Sequence, residues 1–263
     1  MKHGPLQAAQ LNAFEADGFV VLSDLFSAAM LDEVRSLLDP LFSRFNELPT
    51  HVRRDLGAEH RDSLEAEARS AEINRPTSLE PRLRASGVFR VCRAVARQLT
   101  GHAAAYTFDH AIYKTPNNQR PTHWHQDQAY SGHRRVLNTV HFWVPLQEAT
   151  LQNGCMQFVP GSHLSGPVPH VHHPNGHTLH VNAPAEEHIR VCPVPIGGCT
   201  IHGPLTMHYT GPNVSAEIRR AWILHFGPWG RLSKYRPRIL IDRIARLAGI
   251  EPRATPHAMK ASS

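Results

Sequence analysis

His125 and Asp127 stand two apart in the stretch Thr122-His123-Trp124-His125-Gln126-Asp127. On a strand, side chains two apart point to one face, so an imidazole and a carboxylate converge while Gln126 turns away. That is two thirds of the two-histidine, one-carboxylate set that holds Fe(II) and leaves coordination positions open. The third ligand is expected from another strand, far along the chain. His208, in the strand-like segment Thr206-Met207-His208-Tyr209-Thr210 before Gly211, is the candidate. Alone, His-x-Asp says little, because the chain has 20 histidines and a buried His–Asp hydrogen bond is a common structural outcome.

The residues downstream add to it. An iron oxygenase that uses 2-oxoglutarate must chelate the keto acid at one end and clamp its remote carboxylate at the other. Arginine suits that clamp, because its planar fork matches a carboxylate in a bidentate pair. Arg219 and Arg220 both open the run Arg219 to Phe226. Alternation groups Arg219 with Ala221, Ile223 and His225, and Arg220 with Trp222, Leu224 and Phe226. The small Ala221 leaves room for a ligand on the first face, so Arg219 is the predicted clamp. The bulky second set predicts packing, with Arg220 escaping at the strand end.

The elements that must position these groups follow from periodicity. Residues 7–22 read as a short amphipathic helix stopped by Gly18, then the strand Phe19-Val20-Val21-Leu22. Ser27 is a predicted N-cap for a helix whose apolar positions run from Met30 to Leu41, kinked or ended at Pro40. Residues 43–80 are charged and aperiodic, predicting a lid or a solvated excursion. Residues 81–100 return to helix. From Tyr106 the pattern is β: Tyr106 to Lys114, Val136 to Leu146, Gly154 to Val159, Arg190 to Val194, Cys199 to His202 and Arg219 to Phe226. Short strands broken by Gly and Pro predict a sandwich or barrel. The segment Gly166 to His188, with His170, His172, His173, His177, His180 and His188, matches no metal motif and reads as a polar loop at a pocket mouth. Ile239 to Leu247 can form one more helix, stopped by Gly249.

Composition excludes some partners. The 263 residues are 41% hydrophobic, enough for a core, and no apolar run is long enough for a membrane helix. The start, Met1-Lys2-His3-Gly4-Pro5, lacks the apolar stretch of a signal segment, and a soluble, cytoplasmic protein is expected. Cys92, Cys155, Cys192 and Cys199 show no Cys-x-x-Cys spacing and are expected to be reduced and buried or half-buried. The net charge of +6 concentrates late, at Arg231, Lys234, Arg236, Arg238, Arg243 and Arg246, with only Tyr235 among them. That is the wrong pattern for nucleic acid; it predicts a solvated face or attraction of an anionic small-molecule substrate. Oligomeric state is left open.

Several runs taken together resemble one family. They are Thr122 to Gln128; Asn153-Gly154-Cys155-Met156-Gln157-Phe158-Val159-Pro160-Gly161-Ser162-His163; His208-Tyr209-Thr210-Gly211-Pro212-Asn213 with Arg219; and the opening Gly18 to Leu22. The chain resembles the phytanoyl-CoA dioxygenase family over about residues 10–230. The resemblance implies a mainly β fold with flanking helices around a double-stranded β-helix, a cupin-like jelly roll. As one domain over 1–263, this places a helical part to about residue 100, the jelly roll at about 104–230 and a helix at about 238–248. It also implies Fe(II), with 2-oxoglutarate and O₂ as cosubstrates. His125, Asp127 and His208 match the iron ligands, Arg219 matches the 2-oxoglutarate clamp, and Trp143 and Thr206 match positions that line the cosubstrate. The implied activity is hydroxylation or another oxidation of a C–H bond of a small organic molecule, plausibly in specialised metabolism, releasing succinate and CO₂. Halogenating relatives lack the carboxylate ligand; Asp127 therefore points to oxygenation. Tyr130, His133 and Arg135 follow the motif where they would meet substrate or solvent. The rival readings are a jelly-roll metal-binding or sensor protein and a Zn(II) hydrolase, since zinc also accepts two His and a carboxylate. Neither has an evident use for Arg219.

Overall fold

The computed structural model describes residues 6–56, 70–100, 104–131, 139–172 and 179–228. Gly18 adopts φ 83 as the left-handed C-cap of α1 (Ala8–Asp17) and turns the chain into β1 (Phe19–Leu22). Ser27 caps α2 (Ala28–Ser43), its hydroxyl accepting from the Met30 N–H. Leu31, Val34, Leu38 and Leu41 form the buried stripe of α2. Pro40 does not end this helix, which continues to Ser43. Pro40 is solvent-exposed, so its ring is not forced against the core.

The region read as an irregular excursion contributes two strands, β2 (Arg53–Asp55) and β3 (Ser70–Asn74), before α3 (Pro76–Leu79) and α4 (Gly87–Thr100). Then come β4 (Ala104–Lys114), β5 (Thr122–His125), β6 (Val140–Pro145), β7 (Met156–Phe158), β8 (Val171–His172), β9 (Leu179–His180), β10 (Arg190–Cys192), β11 (Cys199–His202), β12 (His208–Thr210) and β13 (Arg219–Pro228). Seven strands form one antiparallel sheet in the order β1-β11-β6-β13-β4-β3-β2, and four form a second in the order β10-β7-β12-β5. β8 and β9 pair with each other. This is the expected jelly roll with helices on one side. The predicted helix over Ile239 to Leu247 lies outside the described residues.

Alternation sorts the large sheet into two faces. One carries Val20, Leu22, Ile201, Phe142, Val144, Trp222, Leu224 and Phe226, and packs with α2 and α4 into the main core. The other turns towards the small sheet, where Phe19 stacks on Phe158 at 4.3 Å and Trp143, Ala221 and Ile223 join Met156. The four cysteines are buried and free. Among the described residues no helix is long and apolar enough to cross a membrane.

Candidate functional site

His125 closes β5 and His208 opens β12, directly opposite each other in the ladder. Their rings lie 4.1 Å apart between centroids. His125 Nδ1–H donates to the His123 carbonyl at 2.7 Å, and His208 Nδ1–H donates to the Thr206 carbonyl at 2.9 Å. A ring nitrogen bonded to a carbonyl carries the proton, so each Nε2 presents a lone pair. Asp127 is not on the strand. β5 ends at His125, and Asp127 opens a one-turn 3₁₀ helix, Asp127–Ser131. The convergence expected from strand alternation is achieved instead by this turn. Asp127 Oδ1 stands 3.4 Å from His125 Nε2 and 3.6 Å from His208 Nε2. Ligand atoms about 2.1 Å from one ion stand roughly 3 Å apart, so these three donors leave room for a metal. Burial would raise the Asp127 carboxyl, but His208, His141 and His125 outweigh it and hold the group well below its ordinary value. Burial pushes His208 well below the usual imidazole range, which keeps its lone pair available.

The three donors are braced from behind. The Thr206 hydroxyl donates to the Gly18 carbonyl at 2.7 Å. A Cβ on Gly18 would lie 2.4 Å from His163 Nδ1 and 2.7 Å from Thr206 Oγ1, so that position requires glycine for space as well as for φ. Thr206, expected to line the cosubstrate, thus directs its hydroxyl to the backbone and its carbonyl to His208. Gln126 does turn away from the donors, but into the protein. Its Nε2–H donates to the carbonyls of Leu205 and Gly166, its Oε1 accepts from the Val168 N–H, and its own N–H donates to His170 Nε2. Part of the His-rich loop is therefore fastened behind β5. Tyr130 lies edge-on to His125 and its hydroxyl accepts from the Leu179 N–H at 2.9 Å. His133, Arg135, His173 and His177 lie outside the described residues.

A second cluster lies along the same face. Arg219 opens β13 directly opposite Lys114 at the end of β4, and both are buried. Lys114 Nζ donates to the Gly211 carbonyl at 2.8 Å and to Thr210 Oγ1 at 3.1 Å. The Arg219 guanidinium lies 5.4 Å from the centre of the Trp143 ring, and its buried Nε has no hydrogen-bond partner. Burial pushes Arg219 down to about 10 and, with Arg219 adding repulsion, pushes Lys114 well below its ordinary value. Among the described residues no carboxylate offsets either cation. Two buried cations without a counter-charge fit an anion. Thr210 is two residues from His208 on β12, roughly 7 Å of strand. Arg220, by contrast, points to the other face, where its Nε–H donates to Asp39 at 3.1 Å.

Sequence reasoning did not single out Lys114, nor the histidines His110, His141, His202 and His225 on this face. Strand parity could have placed Lys114 inward, but its register against Arg219 is a tertiary fact. A cavity of about 670 Å³ opens beside His125 and Asp127. Its floor includes His110, His141 and His225, and Glu72 bonds His110 at 2.7 Å. Phe108 and Ile112 form apolar wall, and Arg54, Arg75 and Arg120 supply positive charge. Arg75, at φ 53, lies over the Phe108 ring at 5.1 Å.

The chain is similar to known proteins over most of its length. The sequence model of the family described as phytanoyl-CoA dioxygenase (PhyH) matches residues 14–221. Phytanoyl-CoA dioxygenase domain-containing protein 1 of Bos taurus is 24% identical over 84% of this chain and 89% of its own. The crystal structure of EvdO2 from Micromonospora carbonacea var. aurantiaca, complexed with 2-oxoglutarate, superposes with a TM-score of 0.70 at 27% identity, covering 89% of this chain and 96% of that one. The epimerase SnoN, crystallised with Fe3+, alpha ketoglutarate and nogalamycin RO, shares the fold with a TM-score of 0.68 at 20% identity, over 84% of this chain and 82% of its own.

Proposed function

The chain belongs to the phytanoyl-CoA dioxygenase family and is an Fe(II)- and 2-oxoglutarate-dependent dioxygenase, and from that premise we propose that it hydroxylates a C–H bond of a small organic substrate bearing an anionic group. One oxygen atom of O₂ enters the substrate and the other enters succinate, formed with CO₂ from 2-oxoglutarate. His125, Asp127 and His208 hold the metal, and Arg219 with Lys114 clamps the remote carboxylate of the cosubstrate. The bound iron supplies the oxygen activation that side chains cannot. The observation that carries this reading is the pairing of two groups on one face: three donors that converge on one point, and a buried arginine and lysine side by side with no carboxylate against them among the described residues.

The protein's own part is positioning and exclusion of water. Carbonyls of His123 and Thr206 fix the tautomers that offer Nε2. Trp143 walls the guanidinium. The cavity is of a size that suits a small molecule, and Arg54 and Arg75 in its lining, with Glu72 already paired to His110, favour an anionic substituent.

The test is anaerobic addition of Fe(II) and then 2-oxoglutarate. A visible charge-transfer band of the chelate is expected. Small organic acids, compared with their neutral amides, should then stimulate succinate formation. Bound metal with no band would favour the zinc-hydrolase or sensor reading instead.

A further inference from the structure

The two oxygens of Asp127 keep different company. Oδ1 faces the lone pairs of His125 and His208, as described above. Oδ2 lies 2.5 Å from His141 Nδ1 and 3.2 Å from His202 Nε2. Four imidazoles thus surround one carboxylate, and the groups Asp127, His141 and His202 lie close enough together to suggest a second metal site.

The hydrogen positions argue otherwise. His141 Nε2 lies 2.9 Å from the Thr139 hydroxyl, which can donate to it and so place the ring proton on Nδ1, towards Asp127. His202 Nδ1 is buried with no partner, and its Nε2 faces an ionised carboxylate that can only accept. That nitrogen therefore carries the proton. Two atoms 2.5 Å apart also leave no room for an ion between them, whereas the Oδ1 side has that room.

We propose that His141 and His202 are positioning residues that clamp Oδ2 of Asp127, so that only Oδ1 is turned to the metal. This rests on the ligand assignment above and goes beyond it. Asp127 needs such a clamp because it sits in a turn, not on a strand. The clamp itself is rigid. His141 on β6 and His202 on β11 are directly opposite in the large sheet, and His141 stacks on His225 at 3.8 Å. A carboxylate held by one oxygen leaves the metal face open for cosubstrate and O₂. A freed carboxylate can rotate and occupy a further position with its second oxygen.

The experiment is anaerobic titration of the metal-free protein with Co(II), in wild type and in His141→Leu, His141→Asn, His202→Leu and His202→Gln. The amide variants can return an N–H near the position of the lost one. Expected is one equivalent of metal in wild type, with affinity falling about 10- to 100-fold in each Leu variant. The Asn and Gln variants should recover most of that loss. The Fe(II)–2-oxoglutarate charge-transfer band should shift or weaken in the Leu variants and return in the amide ones. Unchanged metal affinity in both Leu variants overturns the clamp, as does an amide variant no better than its Leu counterpart. Two equivalents of metal in wild type, with one lost in His141→Leu, would make the cluster a metal site instead. If either Leu variant fails to fold, His141→Gln and His202→Asn, amides whose N–H is misplaced by one methylene, take its place and should lose the affinity that His141→Asn and His202→Gln keep; equal affinity in both sets overturns the clamp. Tight binding by Asp127→Ala would remove the ligand reading itself, an outcome separate from the others.

Discussion

On the helix-covered face of the large sheet, Asp109 is a buried charge with its acceptor capacity filled. It accepts from the Tyr106 hydroxyl at 2.6 Å, the Thr77 hydroxyl at 2.9 Å, the Trp222 indole at 3.0 Å and the Thr77 N–H at 3.2 Å. On the opposite face of the same sheet, Arg219 and Lys114 are equally buried and, among the described residues, face no carboxylate. A charge saturated by its own chain holds structure together. Lys114 Nζ finds three oxygen acceptors in its own chain, whereas the buried Arg219 Nε finds none, and a buried cation short of acceptors is costly unless a ligand supplies them. The comparison separates architecture from function without reference to motif.

Substitutions can break or sharpen that distinction. The largest effect is expected at Asp127→Ala, which removes the charge-transfer band and lowers 2-oxoglutarate turnover by about 10³-fold or more. Near-normal succinate production would place the metal elsewhere. Asp109→Ala should cost about 3 kcal/mol of stability, read as a lowered denaturant midpoint, because four donors lose their acceptor. Its metal and cosubstrate affinities should stay near wild type; a selective loss of either would blur the two faces.

Arg219→Ala is expected to raise the 2-oxoglutarate requirement by about 100-fold, while Arg220→Ala changes it less than about threefold. The reverse order in steady-state kinetics would invert the assignment of the faces. The smallest effect is a pH dependence of the metal-free protein. Burial lowers His202, and far more strongly His208 and His225, below the ordinary imidazole value. The unfolded chain therefore binds protons that the folded rings refuse, so stability rises with pH and falls as pH drops below about 6.5. His110, which Glu72 raises against its burial, opposes this over the same range, so His110→Asn should steepen the fall of the thermal midpoint between pH 7.5 and 5.5; a midpoint flat in both proteins would contradict the burial of these rings.

Much of this was legible in the sequence. Alternation along β13 separated Arg219 from Arg220, because that strand keeps period two. Residue type and spacing singled out His125, Asp127 and His208, whose donor atoms do converge, yet Asp127 arrives from a turn and not from the expected strand. Asp127 lies two residues beyond the strand end, where alternation no longer holds, and the 3₁₀ turn decides where it points. β2 and β3 were missed because Arg53-Arg54-Asp55 is charged and short, and its pairing comes from the neighbouring β3. Lys114 and the clamp histidines depend on register between distant strands, which no local pattern carries.

Leaving Lys114 and Arg219 together in dry surroundings reaches beyond catalysis. A fold that encloses two like charges is least stable when empty, and whatever anion binds it shifts the balance towards the folded form. Proteolysis in turn follows the population of opened chains. Limited proteolysis of the purified protein should then slow as 2-oxoglutarate is added.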